Sequence, residues 1–343
     1  MKRILSLLLA AALMFAFTGC GLLNLKETEP PTEPTEAEIP LETTADERTL
    51  LGQELQVSSM LEENDPVAQV LRQAGSVFEA KTGCAVKFIW QTSDQEAGEK
   101  ISFNPGLTGI YYNLAVFEDC GITTLPGTWE EFVELCEALK IAGYQPISIN
   151  SEDAALAFEI LLLPLRGVLD TAAPLEENEQ AVTALQKISD LVTAGYLIMA
   201  DAPTGQDKLA RSNAAMTIGN LESCQDVEKR SCMDISWGVV PMFGGFAEFD
   251  ELAVQGSAEA IAAFADIVTK GEFDQLRADV TGGIPADSAN ADVLPGGLEA
   301  LKKAVNGRFM SNEKLQALCL DLWNGKFPEA VRFAAALDDL PEN

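Results

Sequence analysis

Apolar and polar positions in the chain follow two periods. From 66 to 82, apolar residues recur every three or four positions (Val67, Val70, Leu71, Ala74, Val77, Phe78), which predicts a helix ended by Lys81-Thr82-Gly83. A weak alternation at 55–59 before it and an apolar run at 84–90 after it predict two strands. Residues 107–150 repeat the theme. Gly109-Ile110-Tyr111-Tyr112 is β-prone and ends at Asn113. Thr128 after Pro126-Gly127 is an N-cap, with Glu131 three residues on as its capping-box partner. Phe132, Leu135, Cys136 and Leu139 then share one helical face, Gly143 stops the helix, and Pro146 to Ile149 reads as a buried strand. Further helices are predicted at 152–165, 177–193, 206–212, 258–269, 298–305, 311–323 and 328–337. Strands are expected at 214–219 and 235–241, with a short one at 251–254. Strands alternating with helices define an α/β chain.

The first fifty residues obey neither period. Lys2 and Arg3 precede an apolar run over 4–17, and Thr18-Gly19-Cys20 follows. A basic start, an apolar core and small residues before a cut predict a secretory signal over 1–19. The run is shorter than the roughly 20 residues of a membrane-spanning helix. Cys after Gly resembles a bacterial lipobox, with Phe17 where Leu is usual. Cys20 is therefore the expected lipid anchor, held by two or more acyl chains. The plainer alternative is a cleaved signal in which Cys20 is incidental. Residues 20–49 are rich in Pro, Glu and Thr, too polar to offset their ordering entropy, and read as a tether.

Composition narrows the classes. After the tether about 295 residues remain, enough for two lobes with their own cores. The formal charge of −30 argues against nucleic acid and against docking on anionic lipid, while charge alone leaves a cationic ligand open. The chain has no histidine, which excludes His-based triads and His-containing zinc sites. Beyond Cys20 stand Cys84, Cys120, Cys136, Cys224, Cys232 and Cys319, with no CxxC. Cys224 with Cys232, or Cys120 with Cys136, are near enough in sequence to pair; buried free thiols are the alternative. No Gly-x-Ser-x-Gly or Walker A sequence occurs, and Gly244-Gly245 lacks the context of a dinucleotide loop. No pair of carboxylates stands out from the 53 acids as a glycosidase pair. The expectation is no enzyme, no cofactor and no metal.

The run GIYYN, CGI, LPGTWEEF and AGYQPI within 107–150 resembles the extracellular solute-binding proteins of bacterial ABC importers, in the family that mostly takes up sugars. Further resemblances are FEAKTG before the strand at 84–90, AAM at 214–216, AEAIAAF at 258–264 and GGIPA at 282–286. The resemblance implies a two-lobe periplasmic-binding-protein-like fold of type II. Lobe 1 would comprise 50–110 plus about 248–297, and lobe 2 would comprise 111–247 plus about 298–343. It implies a lipid-anchored protein on the outer face of the cell membrane, delivering a carbohydrate to an ABC permease by hinge closure. Two departures matter. Only 91–107, much of it polar, separates the second strand from YYN, so lobe 1 is expected to be reduced. Leu221 stands near an expected Trp, which removes a sugar platform.

A sugar site needs aromatic faces and a few polar groups. In an open α/β sheet the ligand lies beyond the C-terminal strand ends, here near 59–63 and 90–94. The candidates are Trp90 at a strand end, Asp94 beyond it, Tyr112 and Asn113 in the crossing, Glu222 after the strand at 214–219, and Trp237. Against each stands a structural role: packing for Trp90, Tyr112 and Trp237, turn-holding for Asn113, and chance placement for Asp94 and Glu222. Two other readings remain: a non-transporting surface lipoprotein whose cleft has degenerated into an interaction or sensor module, and a binder of polyamine-like cations.

Overall fold

The computed structural model describes residues 49–92, 98–169, 173–200, 214–221, 223–224, 235–281, 283–287, 289, 294–307, 309 and 312–340. The predicted helix at 206–212, Asp94, Glu222 and Cys232 lie outside them.

The architecture is α/β, built on one continuous sheet. Its spine is a two-stranded antiparallel ribbon of β3 (Glu99–Asn113) and β8 (Phe246–Gln255). At one end the ribbon is flanked by β1 (Glu54–Ser58), which pairs with the last residues of β8, and by β2 (Ala85–Ile89). At the other end β6 (Ala214–Asn220) pairs with Thr108 to Tyr112 of β3, followed outward by β4 (Gln145–Asn150) and β5 (Leu197–Ala200). β7 (Trp237–Val239) pairs with the end of β3, and β9 (Val305–Asn306) with the start of β8.

Each end has its own core. At the β1–β2 end, α1 (Pro66–Thr82), α6 (Ala258–Thr269) and the strands bury Leu55, Val57, Leu71, Phe78, Phe103, Val254 and Phe264 together. α1 starts where Asp65 accepts a hydrogen bond from the Val67 amide, and it packs so closely on β2 that Gly75 touches the Phe88 ring. At the β4–β6 end a larger core gathers Ile110, Phe132, Ile147, Phe158, Ile188, Met216, Trp323 and Phe333. Its helices are α2 (Leu114–Asp119), α3 (Trp129–Ile141), α4 (Ala154–Leu162), α5 (Glu179–Thr193), α9 (Glu313–Trp323) and α10 (Ala330–Asp338). The predicted capping box forms: Thr128 accepts from the Glu131 amide while Glu131 accepts from the Thr128 amide. A third cluster on the other face of the ribbon joins Leu107, Tyr111, Trp237, Val239, Ile284, Leu294 and Ala300, the last from α8 (Gly297–Lys303).

Several expectations change. The polar stretch before Leu107 contributes the first half of β3, because β8 supplies a partner for its backbone from Glu99 onward. The short strand expected at 251–254 is the end of ten-residue β8 for the same reason. The helix expected at 152–165 shortens to α4, with 3-10 segments on either side at Ser151–Asp153 and Leu163–Val168. α7 (Gly271–Thr281) was not foreseen; its apolar periodicity is weak because its buried face carries Asp274 and Arg277. Cys120 and Cys136 do not pair. Both are free thiols, and Cys136 is sealed in the core of α3.

Candidate functional site

Strand direction locates the candidate cleft. β1, β2 and β3 run one way, while β4, β5, β6 and β8 run the other. The C-terminal ends of β1 and β2 therefore point from the first core toward the second, and those of β4 and β6 point back. Ser58 lies level with Ala253 and Lys100, and Asn220 lies level with Thr108. About 25 Å of strand separates those levels. There β8 is bare: four of its consecutive residues, Glu248 to Glu251, are exposed, so neither face of that strand is covered, while Phe103, Pro105 and Leu107 of the facing β3 stay buried. Phe249, 39 % exposed, is the large apolar side chain of that stretch. β3 carries a register shift between Phe103 and Pro105, where Asn104 takes a positive φ of 48°.

The β1–β2 wall offers the loops after Ser58 and Ile89. Ser59 is buried, accepts from the Leu61 amide through its hydroxyl, and binds the Thr92 amide through its carbonyl. Trp90 is half-buried. Its ring stacks on Phe88 at 5.0 Å, and the Arg72 guanidinium lies 5.3 Å from its centre.

The β4–β6 wall holds polar groups that sequence reasoning missed. Ser148 and Asn150 project from one face of β4, at 1 % and 8 % exposure. Ser148 Oγ and Asn150 Oδ1 have no hydrogen-bond partner among the described residues. Asn150 Nδ2 donates to Asp153 at 3.2 Å, and Thr217 Oγ1 donates to the Ser148 carbonyl at 3.0 Å. Burial raises the Asp153 carboxyl above its ordinary value against the lowering effect of the Asn150 bond, and Glu152 nearby adds to the rise. The first turn of α4 is closed from the side by Gln316, which accepts from the Ala155 amide and donates to the Ser151 carbonyl. Alternating Ser and Asn among Ile147 and Ile149 was the available signal: polar residues in an otherwise apolar buried strand.

The structure does not bring the sequence candidates together. Tyr112 and Asn113 are adjacent in a strand and so point to opposite faces. Asn113 pairs with Trp237 on the face of the third cluster, and its side chain caps α2 by accepting from the Ala115 and Val116 amides. Trp237 is buried in that cluster. Tyr112 faces the large core and stacks near Phe117, with ring centres 4.2 Å apart. Its strand position is four residues past Thr108, about 13 Å further from the crossing. Trp90 belongs to the other core. Among the described residues no group of three or more Cys, Asp or Glu is placed to hold a metal ion, and no helix is long and apolar enough to cross a membrane.

The fold is that of solved extracellular solute-binding proteins. A family model described as "Bacterial extracellular solute-binding protein" matches residues 90–245. Among solved structures, apo RafE from Streptococcus pneumoniae is similar at a TM-score of 0.59 and 14 % identity, over 82 % of this chain and 96 % of that one. A probable secreted solute-binding lipoprotein from Streptomyces coelicolor follows at 0.53 and 12 %, over 83 % and 97 %. The putative binding protein MsmE from Bacillus subtilis, in an open conformation, gives 0.52 and 12 %, over 83 % and 95 %. No curated protein matches the chain in sequence.

Proposed function

We propose that the protein is an extracytoplasmic solute-binding protein, anchored by lipid on Cys20, which closes two lobes over a carbohydrate and presents it to an ABC permease. The lobes would be 50–110 with about 248–297, and 111–247 with about 298–343; Ile284 and Leu294 pack in the third cluster, at the junction between them. The first lobe has few helices and is reduced. One observation carries the reading: strand ends from two separate cores face each other across a two-stranded crossing whose β8 strand is exposed, and one wall holds Asn150 Oδ1 and Ser148 Oγ, unpaired among the described residues. An unpaired buried acceptor costs about 1–3 kcal/mol, and a hydroxyl-rich ligand brings donors that relieve it. Closure follows if the ligand binds the closed form better than the open one. The ribbon residues 102–106 and 248–251 would absorb the bend.

The second reading is a non-transporting surface lipoprotein on the same fold with a degenerate cleft. It is favoured by the aromatic rings: Trp90, Tyr112 and Trp237 are all engaged in packing, which leaves none of them as a free sugar platform.

Thermal unfolding of the mature chain against mono- and oligosaccharides, with polyamines and amino acids as comparison, tests this. A ligand of the native state raises the melting temperature by mass action. Transport of a carbohydrate predicts an upward shift with one sugar group that is lost in Asn150→Leu. A shift with polyamines alone replaces the ligand class. No shift at millimolar ligand removes the transport reading in favour of the degenerate cleft.

A further inference from the structure

Tyr112 lies outside the cleft and lines a different cavity. Strand β3 carries it to the end of the large core remote from the crossing, level with Met216 and Ile147 near the starts of β6 and β4. There Tyr112, Leu114, Phe117, Ile122 and Leu125 wall a pocket of about 360 Å³, with Glu118 and Thr123 also lining it. That volume lies within the range of small-molecule sites, and the mixture of apolar wall and few polar groups is theirs.

Three features set this pocket apart from an incidental groove. Tyr112 is only 4 % exposed, and its hydroxyl, which makes no hydrogen bond to the described residues, is not sealed from solvent, so a donor is open where the residue lines the pocket. By contrast its neighbour Tyr111, on the opposite face, donates to the Leu107 carbonyl at 2.9 Å. The ring is also held in place by a missing side chain. It lies directly over Gly238, where a Cβ would fall 2.3 Å from the ring and 2.5 Å from its oxygen. Burial raises the Tyr112 phenol, so it is a neutral donor at physiological pH. Finally, Glu118 is exposed and Asp119 beside it accepts from Tyr144, so the surroundings are acidic and disfavour an anion.

We propose that this pocket is a second ligand site, separate from the interlobe cleft, for a small aromatic amine. The ring lies among Leu114, Phe117, Ile122 and Leu125, a polar substituent on the ring meets the Tyr112 hydroxyl, and the ammonium faces Glu118. Occupancy does not depend on the cleft binding anything.

Tyramine is the probe, with phenethylamine lacking the hydroxyl and 4-ethylphenol lacking the ammonium. Methyl NMR of the full mature chain reads Ile122, Thr123 and Leu125. The expected result is saturable shifts at these methyls with tyramine and none at Thr217 in the cleft wall. Tyr112→Phe keeps the ring over Gly238 and should weaken tyramine about fivefold to tenfold while leaving phenethylamine unchanged. Glu118→Gln should weaken both amines about threefold, in a salt-dependent way, and spare 4-ethylphenol. Leu125→Trp, which fills the pocket, should abolish all three. No methyl shifts at millimolar probe, shifts confined to the cleft, or equal affinity of Tyr112→Phe for tyramine would each overturn the assignment.

Discussion

Each half of the molecule contains a buried polar cluster, and the two are solved in opposite ways. In the β1–β2 half, Arg277 and Asp274 of α7 are 2 % and 0 % exposed, and their bonds are extensively made. Arg277 donates to Asp274 at 2.8 Å, to the Ile284 carbonyl at 2.7 Å and to Asn104 at 2.9 Å. Asp274 also accepts the Ala286 and Asp287 amides. In the β4–β6 half, Ser148 Oγ and Asn150 Oδ1 are equally removed from water and left without partners among the described residues. A satisfied network fixes geometry; an unsatisfied one marks a place where something else completes the bonding. The first cluster ties α7 and the 284–287 turn to the register shift in β3, and so holds the ribbon where the proposed bend lies. The second lies in the wall of the proposed cleft.

The contrast is open to direct attack. The largest effect is expected from Arg277→Met, which leaves Asp274 as an uncompensated buried charge and should cost about 3–5 kcal/mol in chemical denaturation. The paired change Asp274→Leu with Arg277→Met should recover much of that loss; equal loss in the pair would mean that the ion pair itself stabilises the fold. Next, Asn104→Ala removes the bonds to Arg277 and Asp250 at a positive φ and should cost about 2 kcal/mol. The same kinds of change in the other half should do far less. Ser148→Ala should leave stability within about 1 kcal/mol of the parent, because its hydroxyl makes no bond to the described residues, and Asn150→Leu should cost about 1 kcal/mol through the lost Nδ2 bond to Asp153. A loss of several kcal/mol in either would make that cluster structural and erase the contrast.

The smallest effect is one of pH. Burial raises the Asp153 carboxyl, so the fold favours its protonated form. The stability tied to this group is fully present below its unfolded value and is lost as pH rises through the raised folded value. Asp153→Asn should therefore flatten that decline in melting temperature between acidic and neutral pH and should melt higher than the parent at neutral pH. An unchanged pH profile would mean that the carboxyl is solvated in solution.

Local signals in the chain carried most of the elements and few of the sites. The capping box at Thr128 and Glu131, the apolar face of α1 with its stop at Gly83, and the span of α6 rest on interactions within a few residues, and each was legible as written. Asn113 was legible as a turn-holding side chain, and it caps α2. α7 was not, because Asp274 and Arg277 look like surface residues until a turn twelve residues away supplies their partners. Tyr112, in the expected crossing, and Trp237, in the strand expected at 235–241, are both aromatic candidates for one sugar site. The pleat sends them to opposite faces, and that follows only from the pairing of β3 with β7.

The sequence by itself determined the α/β alternation and most helix boundaries, since propensity, capping and periodicity act over one or two turns. Only the tertiary structure decided that β3 and β8 run as one long ribbon, that the strand ends of two cores face each other, and which buried polar atoms are left unpaired. Those depend on backbone pairing between residues about 140 apart, where register rather than residue type chooses the neighbour.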